Sequence, residues 1–481
     1  MTKNRKISPP RIAKWIISRL SYYEKEHALA DAIEAEYLDI RSRHGAILSW
    51  IWYWLCTAGT LFQYLKLSLV WSLIMFKNYL KIAFRNLKNH KNYSFINIAG
   101  LSLGMSCSLL IMLFVFHEMS YDRFHTKADR IFRVIDVHRQ SNRSPAILSE
   151  VLLEESPEVE NAAKLMNFRN ILIKSGDKSF IEKHVLGADA AFFGVFSFPL
   201  KVGDPEIVLS EPHRAVISES AALKYFGTEN PVGKTITVGD KNLVIMGISA
   251  DTPENSHFKF DFLLSHQTFR WVNRKGWLHN SFLTYVLLRE GIKPEDLERR
   301  FEELAQKYPQ IKHRGLKKRF GLQALTDIHL HSDLSGELGT NGSITYVYIF
   351  SAIAVFILII ACINFMNLST ARASNRAREV GVRKVVGSKK AQLMRQFLGE
   401  SLYMSFIALA LALLFIQFLL PGFRNLVGKN LEINYSGHYA VLPGLFGLAC
   451  LVGFLSGLYP ALYLSSFRPV EALKVSKSMS M

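Results

Sequence analysis

Residues Ser374 to Ser401 read SNRAREVGVRKVVGSKKAQLMRQFLGES, and their setting decides the fold. The stretch lies between two apolar segments, each long enough to cross a bilayer. From Asn367 to Gln396 it holds eight Lys/Arg (Arg372, Arg376, Arg378, Arg383, Lys384, Lys389, Lys390, Arg395) against one acid, Glu379. Lys and Arg beside a span resist translocation, so a short loop this basic belongs in the cytoplasm. It is also patterned. Val382, Val385 and Val386 fall at i, i+3, i+4, and Leu393 with Phe397 continues at i, i+4, which predicts a helix with an apolar stripe. Such a helix, held against the inner membrane surface, is built to be gripped by a cytoplasmic partner.

Working outward, four segments reach the ~20 apolar residues that a hydrocarbon core demands. They are 94–116, 344–366, 401–421 and 441–464. Basic flanks (Lys77 to Lys91, then Arg468 and Lys474) put both termini in the cytoplasm. The segment 367–400 is then a cytoplasmic loop, 422–440 a short external loop and 465–481 a cytoplasmic tail. Residues 117–343 are extracytoplasmic. The predicted fold is a multi-pass α-helical membrane protein with four transmembrane helices and a large α+β domain between the first two.

Charge agrees with this layout. The 481 residues carry a net charge of +18. Residues 117–343 hold 30 Lys/Arg and 30 Asp/Glu, so the excess lies wholly outside the domain. It reads as topology, and no nucleic-acid-binding motif accompanies it. The four cysteines (Cys56, Cys107, Cys362, Cys450) all sit in apolar segments, which predicts neither a disulfide framework nor a cysteine zinc site. The N-terminus lacks the apolar run of a cleaved signal peptide.

Before the first span, 1–46 reads as a small helical unit, with Ile12, Trp15, Ile16 and Leu20 on one face and Leu29, Ile33 and Tyr37 on another. The apolar run 47–76 is interrupted by Lys66. Crossing there would put the basic segment 77–93 outside, so an interfacial or packed position in a cytoplasmic module 1–76 is expected, with a single span or re-entrant hairpin as alternatives. Segment 77–93 is predicted to be an amphipathic helix, with Leu80, Ala83, Phe84 and Leu87 toward lipid and Lys81, Arg85 and Lys88 opposite. In the domain, Thr235–Val238 and Asn242–Ile248 predict a hairpin about Gly239-Asp240, Leu283–Arg289 another strand, and Pro294–Tyr308 a helix.

Nothing reads as a catalytic centre. Gly227-Thr-Glu-Asn-Pro-Val-Gly233-Lys234-Thr235 mimics a phosphate loop, but five residues separate the glycines where four are needed, and a strand pattern follows in place of a helix. His117-Glu118 lacks the second histidine of a zinc-protease helix. His329 and His331 are expected on one side of an extended strand, with no third ligand apparent. No Gly-x-Ser-x-Gly elbow occurs. The spans offer packing signals instead: Gly100 with Gly104, and Gly453 with Gly457, at the spacing that lets helix backbones approach. Their centres hold no charged residue, which argues against an ion-coupled carrier.

These residues resemble the FtsX-like permeases of MacB-type ABC transporters, over roughly 77–474. The most specific likeness is Arg376-Ala-Arg-Glu-Val-Gly-Val-Arg-Lys-Val-Val-Gly387 with Gln396-Phe-Leu-Gly-Glu-Ser401. Tyr121-Asp-Arg-Phe-His125, Asp129-Arg-Ile-Phe-Arg133, Tyr225 to Thr235 and Asp251 to Phe258 are similar to that family's periplasmic core domain. Ser456 to Ala461 and Phe467 to Lys474 are similar to its last span and exit, and 1–76 to a permease prefix module.

The resemblance implies a bacterial inner-membrane subunit that holds no cofactor. ATP and Mg would bind a separate cytoplasmic ABC ATPase. Arg376, Arg378, Glu379, Gly381, Val382, Arg383, Lys384 and Gly387 would form the ATPase-coupling surface. Further implied partners are membrane lipid, a second copy or second permease half, and a periplasmic adaptor with an outer-membrane channel; nucleic acid is not among them. The chain holds one four-span half, so it is expected to act as a homodimer or as a fragment of a two-half protein. Export or extraction of a substrate by mechanotransmission is the leading expectation. Regulation of an envelope enzyme and an extracytoplasmic sensor are the alternatives.

Overall fold

The computed structural model describes residues 9–24, 27–89, 91–168, 170–269, 276–277, 280–308, 320–371, 380–431 and 441–466. Two compact units emerge. One draws on Met1–Ser102, Ala361–Leu411 and Ala440–Met481, the other on Leu103–Ile360 and Ala412–Tyr439.

Four long apolar helices, Lys91–Met119, Ile344–Ala371, Lys390–Val427 and Val441–Ser466, fill the predicted spans. The third starts well before the expected residue 401, so the second half of the predicted loop 367–400 is helical. Ala391 to Gln396 are good helix formers and nothing among them stops the helix. Its start is fixed where the Lys389 N–H donates to Gln392 Oε1 at 2.9 Å. At the first span, Lys91 to Tyr93 join the membrane helix, while the rest of the predicted amphipathic helix is the end of the helix His27–Asn89. Nothing is described of the side chains of its predicted apolar face, Leu80, Ala83, Phe84 and Leu87.

The helix His27–Asn89 is broken at Gly45, where φ is 86°. Tyr37 and Tyr53 settle what the break does. Sixteen residues apart, they would be ~24 Å apart along a straight helix, yet their rings meet edge to face at 5.3 Å. The chain therefore doubles back, and only a left-handed residue such as glycine permits it cheaply. Ala30–Tyr64 is long and apolar enough to cross a membrane, but it is a bent hairpin, not one straight rod. Ala13, Ile17, Tyr37 and Tyr53 form the core of this N-terminal module. The predicted face is rotated: Ile12 and Trp15 point outward, and the smaller Ala13 fits beneath the packed rings.

The large domain is α+β. Thirteen strands among the described residues join in one sheet. Within it Val159–Phe168 runs antiparallel to Asn280–Leu288, with Leu283 opposite Leu165 and Tyr285 opposite Ala163. The hairpin forms as its sequence predicts, Lys241 opposite Val238. The predicted helix spans Pro294–Lys307 and buries Leu297, Phe301 and Leu304. The false phosphate loop is a turn that feeds a strand. Gly227 ends the helix Glu219–Phe226 at φ 63°. Beyond it the Gly233 N–H donates to the Ile245 carbonyl at 2.8 Å, and Lys234 pairs with Glu229.

One strand prediction is corrected. Ile328–His331 is a helical turn. Leu325 and Ile328 are both fully buried; three residues apart, they share a face of a turn but would point oppositely from a strand. His329 is thereby buried and His331 exposed, so the two histidines do not share a side.

A phenylalanine cluster (Phe192, Phe196, Phe198, Phe258, Phe260) fills the core and encloses His125. Burial holds this imidazole down to about 4. Its Nδ1 accepts the Ser197 N–H at 3.0 Å, which an imidazolium cannot do. An unfolded histidine titrates near 6.5, so below that pH the unfolded chain binds a proton that the folded one refuses. The stabilisation is complete above pH 6.5 and declines toward pH 4, by up to about 3 kcal/mol from this residue. His125→Asn keeps an acceptor for Ser197 and is expected to flatten the acid limb of a denaturation series between pH 6.5 and 4. An unchanged slope would remove His125 as its cause.

Candidate energy-coupling site

Residues 380–385 are helical and lead through a tight turn into the helix Lys390–Val427. Gly387, at φ 101°, makes the turn. Its N–H donates to the Lys384 carbonyl at 3.0 Å and the Ser388 N–H to the Arg383 carbonyl at 2.9 Å, closing the short helix. A side chain at Gly387 would force an L-residue into a conformation it rarely adopts.

The element has two faces. Val380, Leu393 and Phe397 are buried against Ala461 and Leu464 near the end of the fourth span. Val382, Val385 and Val386 point away and are 49%, 66% and 82% exposed. The stripe predicted as continuous is thus divided: its valines are presented outward, and Leu393 with Phe397 anchors the element.

Two of the predicted coupling cations also have partners within the chain. Lys384 Nζ donates to the Ser465 carbonyl at 2.7 Å, capping the C-terminus of the fourth span where helix carbonyls lack partners. Arg383 donates to Gln396 Oε1, and Gln396 Nε2 donates to Glu400 Oε1 at 3.3 Å. Both cations therefore brace the element from within. Gly381 is buried in it. Arg376, Arg378 and Glu379 lie outside the described residues.

Glycines set how closely the third and fourth spans approach. A Cβ on Gly453 would lie 2.8 Å from the Leu402 Cα, and one on Gly457 would lie 2.6 Å from the Ser401 Oγ. Ser405 Oγ donates across to the Ala449 carbonyl at 2.7 Å. In the first span, a Cβ on Gly100 would lie 3.4 Å from Asn364 of the second. Gly104 is buried one turn further along.

Comparison with known proteins matches residues 94–304 to the MacB-like periplasmic core domain and residues 351–469 to the FtsX-like permease C-terminal region. The chain belongs to the MacB-type FtsX-like permeases. Its relatives include the macrolide export ATP-binding/permease protein MacB of Shewanella sp. (strain W3-18-1), 24% identical over 410 residues, covering 82% of this chain and 60% of that protein. The protein of the same name from Vibrio parahaemolyticus is 23% identical over 418 residues, covering 84% and 61%. The permease thus spans about three fifths of the length of these relatives. Among solved structures, the periplasmic region of MacB from Actinobacillus actinomycetemcomitans covers 41% of this chain and 90% of its own, with 18% identity and a TM-score of 0.33.

In the permease, two motifs far apart in sequence prove to be one device. Asp122 Oδ1 accepts from the His257 backbone N–H at 3.1 Å and lies 2.8 Å from His257 Nδ1. Asn255 Nδ2 donates to the Ser120 carbonyl at 3.0 Å. His257 Nε2 lies 2.8 Å from the Tyr285 hydroxyl, and fully buried Arg133 pairs with Glu337 at 2.6 Å. Thus the segment leaving the first span is locked to the domain core through buried, directional bonds. Sequence reading also missed a second meeting point: Glu118 and His329, set aside separately as failed metal motifs, are hydrogen-bonded partners. A carboxylate closing an apolar span was the available signal.

Proposed function

We propose that the permease is the transmission subunit of an ABC transporter in the bacterial inner membrane, coupling ATP hydrolysis by a cytoplasmic ATPase to motion of its extracytoplasmic domain. The observation that carries this is the divided coupling element. It shows three exposed valines on one face, while its cations and buried side chains tie it to the third and fourth spans. Such a platform transfers force instead of yielding to it. The apolar face supplies affinity for the ATPase, and the surrounding basic residues orient docking. ATP and Mg are bound by the partner. Both termini lie in the cytoplasm, and the working assembly pairs two permease halves. Force then passes along helices to reshape the outer domain, exporting or extracting a substrate.

Two measurements test it. A cysteine at Lys241 is expected to react with an impermeant maleimide in intact spheroplasts, and one at Ser388 only after lysis; the reverse would overturn the orientation. Co-reconstitution with the cytoplasmic ATPase is expected to raise its turnover several-fold, and no change would overturn the coupling.

A further inference from the structure

Where the first span leaves the membrane region, Glu118 is 4% exposed and sits at a junction of four segments. One carboxylate oxygen lies 2.9 Å from His329 Nε2, on the helical turn that ends the domain. The other pairs with Lys429, just past the end of the third span. Gly342, two residues before the second span, donates its N–H to the His329 carbonyl at 2.9 Å. A Cβ there would lie 2.5 Å from Glu118 Oε2 and 2.8 Å from His329 Nε2, so the second span approaches the carboxylate as closely as backbone allows. Tyr121 stacks flat on the His329 imidazole, centroids 3.4 Å apart and planes within 3°. Lys429 Nζ also lies 5.0 Å over the Tyr121 ring.

The third span is positioned for this contact by its own end. Gly428, at φ 69°, stops the helix, and Arg424 Nε donates to the Leu431 carbonyl at 2.7 Å, folding the following residues back. Lys429 is thereby aimed inward. Its charge meets a carboxylate that burial makes costly to leave unpaired.

We propose that Glu118 is a clasp through which displacement of the third span is handed to the outer domain. The inference rests on the transmission reading and names its outer-face contact. A buried carboxylate with one oxygen on Lys429 and the other on His329 cannot follow one partner without pulling on the other. Shifting the third span outward therefore drags the turn 328–331, and with it the domain base that Tyr121 and Asp122 hold. Glu118 is a positioning residue and touches no substrate.

The test is hydrogen exchange on the full chain in lipid nanodiscs with its cytoplasmic ATPase, with and without ATP and vanadate. In the unaltered permease, nucleotide is expected to change protection in both 380–400 and 328–342. If neither segment responds, the transmission reading fails and the clasp with it. In Glu118→Gln the change in 380–400 is expected to persist, while that in 328–342 falls at least five-fold; retention of both overturns the clasp alone. Should Glu118→Gln not fold, Lys429 decides. Lys429→Met is expected to lose the response in 328–342 and Lys429→Arg to keep most of it. Equal responses from these two variants would overturn the proposal.

Discussion

Exchanging Val385 and Val386 together for aspartate is expected to weaken binding of the cytoplasmic ATPase by about 100-fold or more. Burying each valine is worth roughly 1.5 kcal/mol, and each 1.4 kcal/mol is tenfold in affinity. Carboxylates forced into an apolar contact add a desolvation cost. The permease itself should remain folded, because both side chains are exposed and neither belongs to the packed face formed by Val380, Leu393 and Phe397. Replacing exposed Lys389 and Lys390 by glutamine is expected to leave affinity within a few-fold and to reduce its dependence on salt, since rim charges steer encounter more than they hold a complex. Titration of the ATPase onto nanodisc-held permease separates the two. Undiminished binding by the double aspartate variant would move the docking surface elsewhere on the chain.

The second large effect concerns the fourth span. Gly453→Leu is expected to destabilise the permease by about 3 kcal/mol, the upper part of the range for overpacking a close contact. The new Cβ would meet the Leu402 Cα, a backbone atom that cannot rotate away, and the Ser405 Cβ at 3.1 Å. Parting the helices would also stretch the bond from Ser405 to the Ala449 carbonyl. Gly447→Leu is the control on the same helix, since a Cβ there meets nothing within 4 Å. Thermal unfolding in detergent should show a marked fall in Tm for the first and little change for the second. Equal behaviour would show that the two spans are not held together at Gly453.

The features legible in sequence were those set by local chemistry. Apolar length gave the spans, alternation with Gly239-Asp240 gave the hairpin, and Pro294 with its acids gave the helix that follows it. Long-range pairing was not legible. The turn at Ile328 depends on a core that only the folded sheet creates, and periodicity over four residues cannot see it. The same holds at the coupling element. Helical spacing grouped Val382, Val385 and Val386 with Leu393 and Phe397, but the left-handed Gly387 rotates one set away from the other. The resemblance implied a docking role for Arg383 and Lys384; that each also has an acceptor within the chain, Gln396 Oε1 and the Ser465 carbonyl, was not legible. Asp122 and His257 illustrate the reverse case: each stood in a noticed motif, and only the fold revealed that the motifs are mutual.

The length of the third helix has a mechanical consequence. From Lys390 to Leu420 it is unbroken until Pro421, the one proline within it. Those residues make a rod ~46 Å long, against a hydrocarbon layer of about 30 Å. Proline gives no N–H to the preceding turn, so the ladder of helical hydrogen bonds is interrupted there, although the helix runs on to Val427. Pivoted at its Lys390 end, the rod needs to tilt by only ~5° to carry its far end about 4 Å sideways. The hydrogen bonds at Glu118 operate over less than one ångström of play. On the proposed transmission reading, leverage set by how many residues precede Pro421 would convert a modest rocking at the Lys390 end of the rod into a stroke several times larger than a hydrogen bond at its other end can absorb.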